Sequence, residues 1–122
     1  MSDATSMAED FASGRSDPVQ ALEQALDQAS RSASVFISLT AERARREAEA
    51  SAARWRAGQP LSGFDGVPVA WKDLFDVAGS VTTAGAAYRR NAPAALLDAP
   101  SVGLLCRAGM VSVGKTNLSE LA

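Results

Sequence analysis

The sequence contains no histidine, which excludes every catalytic unit in which an imidazole activates a serine or cysteine nucleophile. It contains one cysteine, Cys106, so an internal disulfide and a cysteine-rich zinc site are also excluded. We expect Cys106 to be a small buried residue beside Leu105 on a helix. No metal ligands and no cofactor are assigned from the sequence.

Lysine is scarce as well. The twelve basic residues comprise ten arginines and two lysines, Lys72 and Lys115. Arginine keeps its proton under ordinary conditions, whereas burial and neighbouring groups can turn a lysine amine into a base. Each of the two lysines is therefore a candidate for a chemical role.

Long apolar runs and a strong net charge are missing too. The formal net charge is -2, which gives no general attraction for nucleic acid or for an anionic membrane. No window is apolar over the length that spans a bilayer, and the polar N-terminus does not resemble a secretory signal. We expect a cytoplasmic protein that binds neither nucleic acid by itself nor membrane, and the oligomeric state stays open.

The first half of the chain predicts helices. Residues 1–16 are small and polar without periodicity, so we expect them to be disordered. Asp17 and Pro18 are typical of a helix start, and apolar residues then recur at three- and four-residue spacing. A second helical pattern runs from Thr40 to Ala57. Residues 17–122 are thus assigned to one domain.

The second half predicts a strand, a helix and another strand. Val67–Trp71 is a short apolar run with Lys72 at its carboxyl end. Asp98 is a candidate helix cap, Gly109 a helix stop, and Met110–Val113 a second buried strand. This order is that of a right-handed parallel crossover, and it predicts an α/β fold.

The pattern also predicts that this architecture is incomplete. Two parallel strands with two apolar faces need further strands and helices to bury them. Asn117 and Glu120 form a capping-box-like pair, as if another helix began there. We therefore expect residues 17–122 to be the N-terminal part of a truncated domain.

Three blocks in order resemble the amidase signature family, the hydrolases with a Ser-cisSer-Lys catalytic unit. Gly66–Asp73 is similar to the family's glycine-x-proline strand that ends in lysine-aspartate, and Gly79–Gly85 to its paired-threonine turn. The third block runs from Asp98 to Leu121 and contains the Gly114–Asn117 segment. The resemblance implies N-terminal helices followed by the first strand-helix-strand unit of the family's mixed sheet.

The resemblance also implies a chemistry and a site. In the family an unprotonated lysine, here Lys72, accepts a proton through a bridging serine while a second serine attacks the carbonyl of a small-molecule amide. To act as a base near neutral pH, the amine of Lys72 must be desolvated or hydrogen-bonded in its neutral form, so we expect it to turn inward beside a covered cleft. A carboxylate aimed at that lysine would keep it charged, so we expect Asp73 to turn away. The family's glycine-serine-rich loop follows later in the chain, and no serine here is assigned its role. The 122-residue chain alone is expected to be inactive.

Other interpretations stay open. The full-length parent could be the A subunit of a glutamine-dependent amidotransferase, or the chain could be a relic without chemistry. Gly109–Thr116 also fits the pattern G-x-x-x-x-G-K-[ST] of a nucleotide-binding P-loop. Its apolar middle and the helical pattern before it make a P-loop a remote alternative.

Overall fold

The computed structural model describes residues 3–32 and 34–121, which form a small mixed sheet packed with helices. The sheet contains β1 (Phe36–Leu39), β2 (Pro68–Lys72) and β3 (Val111–Thr116) in the order β1-β3-β2. β2 and β3 are parallel, with Pro68 opposite Val111 and Lys72 opposite Thr116. β1 pairs antiparallel with the other edge of β3. The predicted α/β fold and parallel crossover are confirmed.

The crossover connection carries α4 (Pro100–Arg107). Gly109 follows that helix at a φ of 95°, and its N–H donates to the carbonyl of Cys106. A positive φ suits glycine because a side chain at this conformation crowds the backbone. Gly109 therefore ends the helical segment, as the sequence predicts.

The start of α4 differs from the prediction. Asp98 does not cap the helix, because the capping position belongs to Ala99 and no side chain bonds there. Both oxygens of Asp98 instead accept from Arg43, at 2.7 and 2.8 Å, and Oδ1 also accepts from the N–H of Ala78. A charged partner from a distant helix outcompetes the local cap, and Asp98 joins three segments of the chain.

Two helices cover β3. α2 (Pro18–Arg31) begins as predicted, with Asp17 accepting from the N–H of Gln20, and α3 (Ala41–Arg56) packs beside it. Leu22 and Leu26 from α2 meet small residues of α3 and the valines of β3. The core thus lies between the helix pair and the middle strand of the sheet. Its buried members are Leu22, Leu26, Ala44, Ala48, Val111 and Val113.

The N-terminus is not the disordered segment that its composition suggested. Ala4–Ser13 forms a helix, α1, capped by reciprocal hydrogen bonds between Asp3 and Ser6 and ended by Gly14. Phe11 is buried against Ala21 and Val67. Composition misled here because one aromatic side chain with a distant docking site offsets the low hydrophobicity of its neighbours.

The other end of the described chain also differs from expectation. Residues 117–121 are irregular, with a bend at 119 and a turn at 120–121, rather than the first turn of a helix. The side chain of Asn117 accepts from the N–H of Leu118, next to it in sequence, and its amide donates to the carbonyl of Ser34. Within the ranges 3–32 and 34–121, no helix has the length and apolarity to cross a membrane.

Candidate active site

Lys72 is the last residue of β2, so the predicted strand-end position is confirmed. The chain turns directly after it, because the carbonyl of Lys72 accepts from the N–H groups of Leu74 and Phe75 at 2.7 and 3.0 Å. The residue is exposed, and contrary to the expectation its amine is not turned into a covered cleft by residues 3–32 and 34–121. The catalytic role of Lys72 stays a prediction.

Asp73, the next residue, is completely buried. Its N–H donates to the carbonyl of Thr116 and its own carbonyl accepts from Ala84. Its carboxylate Oδ2 accepts from both the N–H and the hydroxyl of Thr83. Asp73 is therefore turned inward and held at both its backbone and its side chain. Within the described part of the chain it forms no ion pair with Lys72.

The partner of Asp73 is the second lysine. Nζ of Lys115 lies 2.7 Å from Oδ1 of Asp73, and both side chains have no exposed surface. The contact is an ion pair by distance rather than a well-aligned hydrogen bond, since Oδ1 has no hydrogen-bond partner of good geometry among the described residues. The sequence singled out Lys115 by the scarcity of lysine and as part of the P-loop and family patterns, but its role as the partner that neutralises Asp73 was missed.

The two neighbouring threonines, Thr82 and Thr83, contact the buried Asp73–Lys115 pair. Thr83 is the buried donor to Asp73, whereas the hydroxyl of Thr82 lies 3.3 Å from Nζ of Lys115 and donates to Asp76 at 2.7 Å. The paired-threonine turn singled out in the sequence therefore organises the residues that follow β2.

The P-loop interpretation of Gly109–Thr116 is wrong. The segment is the turn into β3 and β3 itself, and its N–H groups bond to other segments of the chain. Met110 donates to Leu105, Val111 to Val67, and Ser112 to the carboxylate of Glu47. Lys115, which would have to reach a phosphate, is buried against Asp73. A phosphate cradle needs free N–H groups curled round an anion, whereas this segment is an extended strand paired on both edges.

A cavity of about 910 Å³ opens beside β1 and the start of α3. Residues from the 78–87 segment line its other side, and the charged residues in its wall are Glu42, Arg43, Arg46 and Arg90. Arg43 is paired with Asp98 and Glu47. Lys72 is not among the lining residues. This space is therefore separate from the candidate catalytic lysine.

Cys106 lies on α4 as predicted, but it is half-buried rather than buried. Its Sγ lies 3.1 Å from Nη2 of Arg43 and 3.7 Å from the hydroxyl of Ser112. Burial raises the pKa of the Cys106 thiol, which disfavours the reactive thiolate. Its contacts are those of a packing residue.

Comparison with known proteins identifies the same family that the sequence blocks resemble. The amidase family model matches residues 17–122. The chain is 38% identical over 117 residues to AtzE, a 1-carboxybiuret hydrolase subunit of Pseudomonas sp., covering 93% of this chain and 26% of that protein. It is also 38% identical over 116 residues to the A subunit of the mitochondrial glutamyl-tRNA(Gln) amidotransferase of Aedes aegypti, covering 93% of this chain and 23% of that protein.

A solved structure shows the same arrangement. The native peptide amidase of Stenotrophomonas maltophilia superposes with a TM-score of 0.85 at 29% identity, over 99% of this chain and 26% of the other. The chain thus spans about a quarter of the length of the relatives it matches. The blocks around Lys72, the fold that carries them and the match from residue 17 to residue 122 together show that this chain belongs to the amidase family.

Proposed function

We propose that this chain supplies the lysine base of an amidase that hydrolyses carbon–nitrogen bonds of a small-molecule amide. One observation carries the proposal: Lys72 ends β2 at the sheet edge while the carboxylate next to it, Asp73, is turned inward and paired with Lys115. Among residues 3–32 and 34–121, Lys72 therefore has no carboxylate paired with it that would hold it protonated.

In the proposed reaction, Lys72 in its neutral form takes a proton through a bridging serine. A second serine then attacks the amide carbonyl, an amine or ammonia leaves, and water hydrolyses the acyl-enzyme. Both serines and the oxyanion-binding loop would lie in the remainder of a longer amidase domain, of which residues 17–122 are the N-terminal part. We propose a cytoplasmic location for it.

A second candidate follows from the relatives. The similarity to the A subunit of a glutamyl-tRNA(Gln) amidotransferase supports a parent protein with the corresponding place in a glutamine-dependent amidotransferase. The two candidates share the use of Lys72 but differ in substrate. A simple amidase releases ammonia from several small amides, whereas the amidotransferase component releases it from glutamine.

A chimeric enzyme tests the catalytic role of Lys72. Residues 17–122 replace the matching segment of the Stenotrophomonas peptide amidase, and amide hydrolysis is measured for the graft and for its Lys72→Met variant. Loss of a general base that activates a nucleophile is expected to lower kcat by a factor on the order of 10³ or more.

The matched control is Arg107→Met, which removes an exposed cation at the end of α4 and is expected to leave kcat unchanged. Equal thermal unfolding of the variants shows that the loss is chemical. A Lys72→Met graft that folds and still turns over at the parental rate contradicts the proposal, as does a folded graft without any hydrolysis.

A further inference from the structure

The Asp73–Lys115 pair is unusual because both charges are fully removed from solvent. Burying an ion pair rarely stabilises a fold more than apolar residues of the same volume would, so such a pair is weak evidence for a purely stabilising role. The pair lies at the carboxyl end of β2, one residue from the proposed base. Its position therefore suggests a task connected with Lys72.

The geometry separates the two lysines. Side chains alternate along a strand, and here Trp71 is buried, Lys72 exposed and Asp73 buried. In the register of the parallel pair, Lys115 lies opposite Trp71, and from there its amine reaches Asp73. Lys115 and Asp73 thus occupy the buried side of the strand end, while Lys72 lies on the exposed side.

The electrostatic consequence concerns Lys72. Without Lys115, Asp73 would be an uncompensated anion adjacent to the base and would favour its protonated form. Two further charged groups bond to Thr82: Asp76 accepts from its hydroxyl, and Arg89 donates to its carbonyl. With Lys115 in place, the buried pair contributes little net charge at the end of β2.

We propose that Lys115 is a positioning residue for the reaction: it holds Asp73 on the buried side and neutralises it, so that Lys72 stays free to act as a base. The proposal rests on the function proposed above for Lys72. It concerns a residue that does not touch substrate and acts only through Asp73.

The chain's two lysines make a direct test feasible. Each folded variant is treated with a trace of acetic anhydride at fixed pH and low salt, with Nα-acetyl-lysine as an internal reference. Mass spectrometry gives the acetylation rate of each lysine-containing peptide. In the parent, Lys115 is expected to react at least about tenfold more slowly than Lys72, because only a neutral, accessible amine reacts.

The two single variants are expected to change the acetylation rate of Lys72 in opposite directions. Lys115→Met leaves Asp73 unpaired and should slow acetylation of Lys72 by roughly two- to threefold, a factor expected for one nearby, partly screened charge. Asp73→Asn leaves Lys115 unpaired and should accelerate it by roughly the same factor. The double variant and the conservative Lys115→Arg should restore the parental rate, and added salt should shrink both shifts.

Each outcome decides. If both folded single variants change the rate in the same direction, or leave it unmoved, the proposal is overturned. If an unpaired buried charge unfolds one single variant, the other carries the test. If the unpaired charge unfolds both single variants, the double variant is measured instead. An acetylation rate of Lys72 in the double variant that differs from the parent by more than about twofold contradicts the proposal. The opposite changes in the acetylation rate of Lys72 do not depend on amide hydrolysis. Failure of the graft experiment therefore contradicts the proposed function without contradicting the electrostatic role of Lys115.

Discussion

The buried carboxylate of Asp65 occupies the place where any residue other than glycine at position 109 would put its Cβ. Asp65 has no exposed side-chain surface and accepts hydrogen bonds from Arg54, at 2.7 Å from each of two guanidinium nitrogens, and from the N–H of Leu61. The N–H of Gly66 donates to the carbonyl of Gly109. The end of α4 is thereby joined to the loop before β2, which sets where the strand of Lys72 begins.

A Gly109→Ala substitution is therefore expected to lower the free energy of unfolding by about 2–5 kcal/mol. A positive φ costs an L-residue roughly 1–2 kcal/mol, and forcing a methyl group against a buried carboxylate adds about 1–3 kcal/mol. Urea denaturation of the purified chain measures the change.

Two other glycines separate these causes. Gly79 has a φ of 86° with open space round it, so Gly79→Ala should cost only the conformational part. Gly63 has open space and no positive φ, so Gly63→Ala should change stability by less than about 0.5 kcal/mol. Equal costs at Gly109 and Gly79 would show that the contact with Asp65 contributes nothing.

The ionisation of Asp98 should make the free energy of unfolding depend on pH. The hydrogen bonds from Arg43 hold the pKa of the Asp98 carboxyl below its usual range. A carboxyl whose pKa is lower in the folded state stabilises the fold above its unfolded value of about 4, and loses that contribution as the pH falls through its folded pKa. The stabilisation at neutral pH should be about 1–3 kcal/mol.

Thermal unfolding of the parent and of Asp98→Asn between pH 7 and pH 3 measures this contribution. The difference between the two should be largest at neutral pH and should shrink below about pH 4. Asp27→Asn, which changes an exposed partner of Arg31, is the control and should change stability by less than about 0.5 kcal/mol at any pH. A constant difference between parent and Asp98→Asn would contradict the prediction.

The 122-residue chain alone is expected to hydrolyse amides no faster than the uncatalysed background. Lys72 is exposed, and no serine of the chain is assigned as its nucleophile, so a base without a group to activate gives no turnover. Ammonia release from a panel of small amides, glutamine included, measures this. Hydrolysis that disappears in Lys72→Met would show that a nucleophile is already present within these residues.

Leu96 and Leu97 should contribute little to stability despite their size. They are 92% and 79% exposed, so replacing both by serine removes almost no buried area, and the free energy of unfolding should change by less than about 0.5 kcal/mol. The same variant should bind less of the apolar dye ANS. Leu22→Ala is the contrast: Leu22 is fully buried, and its truncation should cost about 2–5 kcal/mol. Equal losses would show that the two leucines are covered in solution.

The sequence predicted the elements whose signals are local. The Asp17 cap and Pro18 mark the start of α2, Gly109 the end of the α4 segment, and two apolar runs the parallel strands. Lys72 was placed at the end of β2 by the same reasoning. Capping and strand alternation act within a few residues, so a linear pattern contains them.

Contacts between distant segments were not contained in that pattern. Helix α1 has local capping signals in Asp3, Ser6 and Gly14, but its low hydrophobicity concealed it, and Phe11 docks it against residues far along the chain. Asp98 was assigned to a cap, yet a guanidinium 55 residues away is the stronger partner. At Asp98 the local preference was present and a long-range interaction outweighed it.

The two lysines show the division most clearly. From the sequence alone, the motif blocks determined the family resemblance and singled out Lys72, because strand, turn and motif spacing are properties of short segments. Only the tertiary structure decided which lysine is exposed and which is buried against Asp73. That choice depends on the register of β3 beside β2 and on the turn that brings Thr83 over the carboxylate, and burial and ion pairing exist only once segments far apart in sequence are packed together.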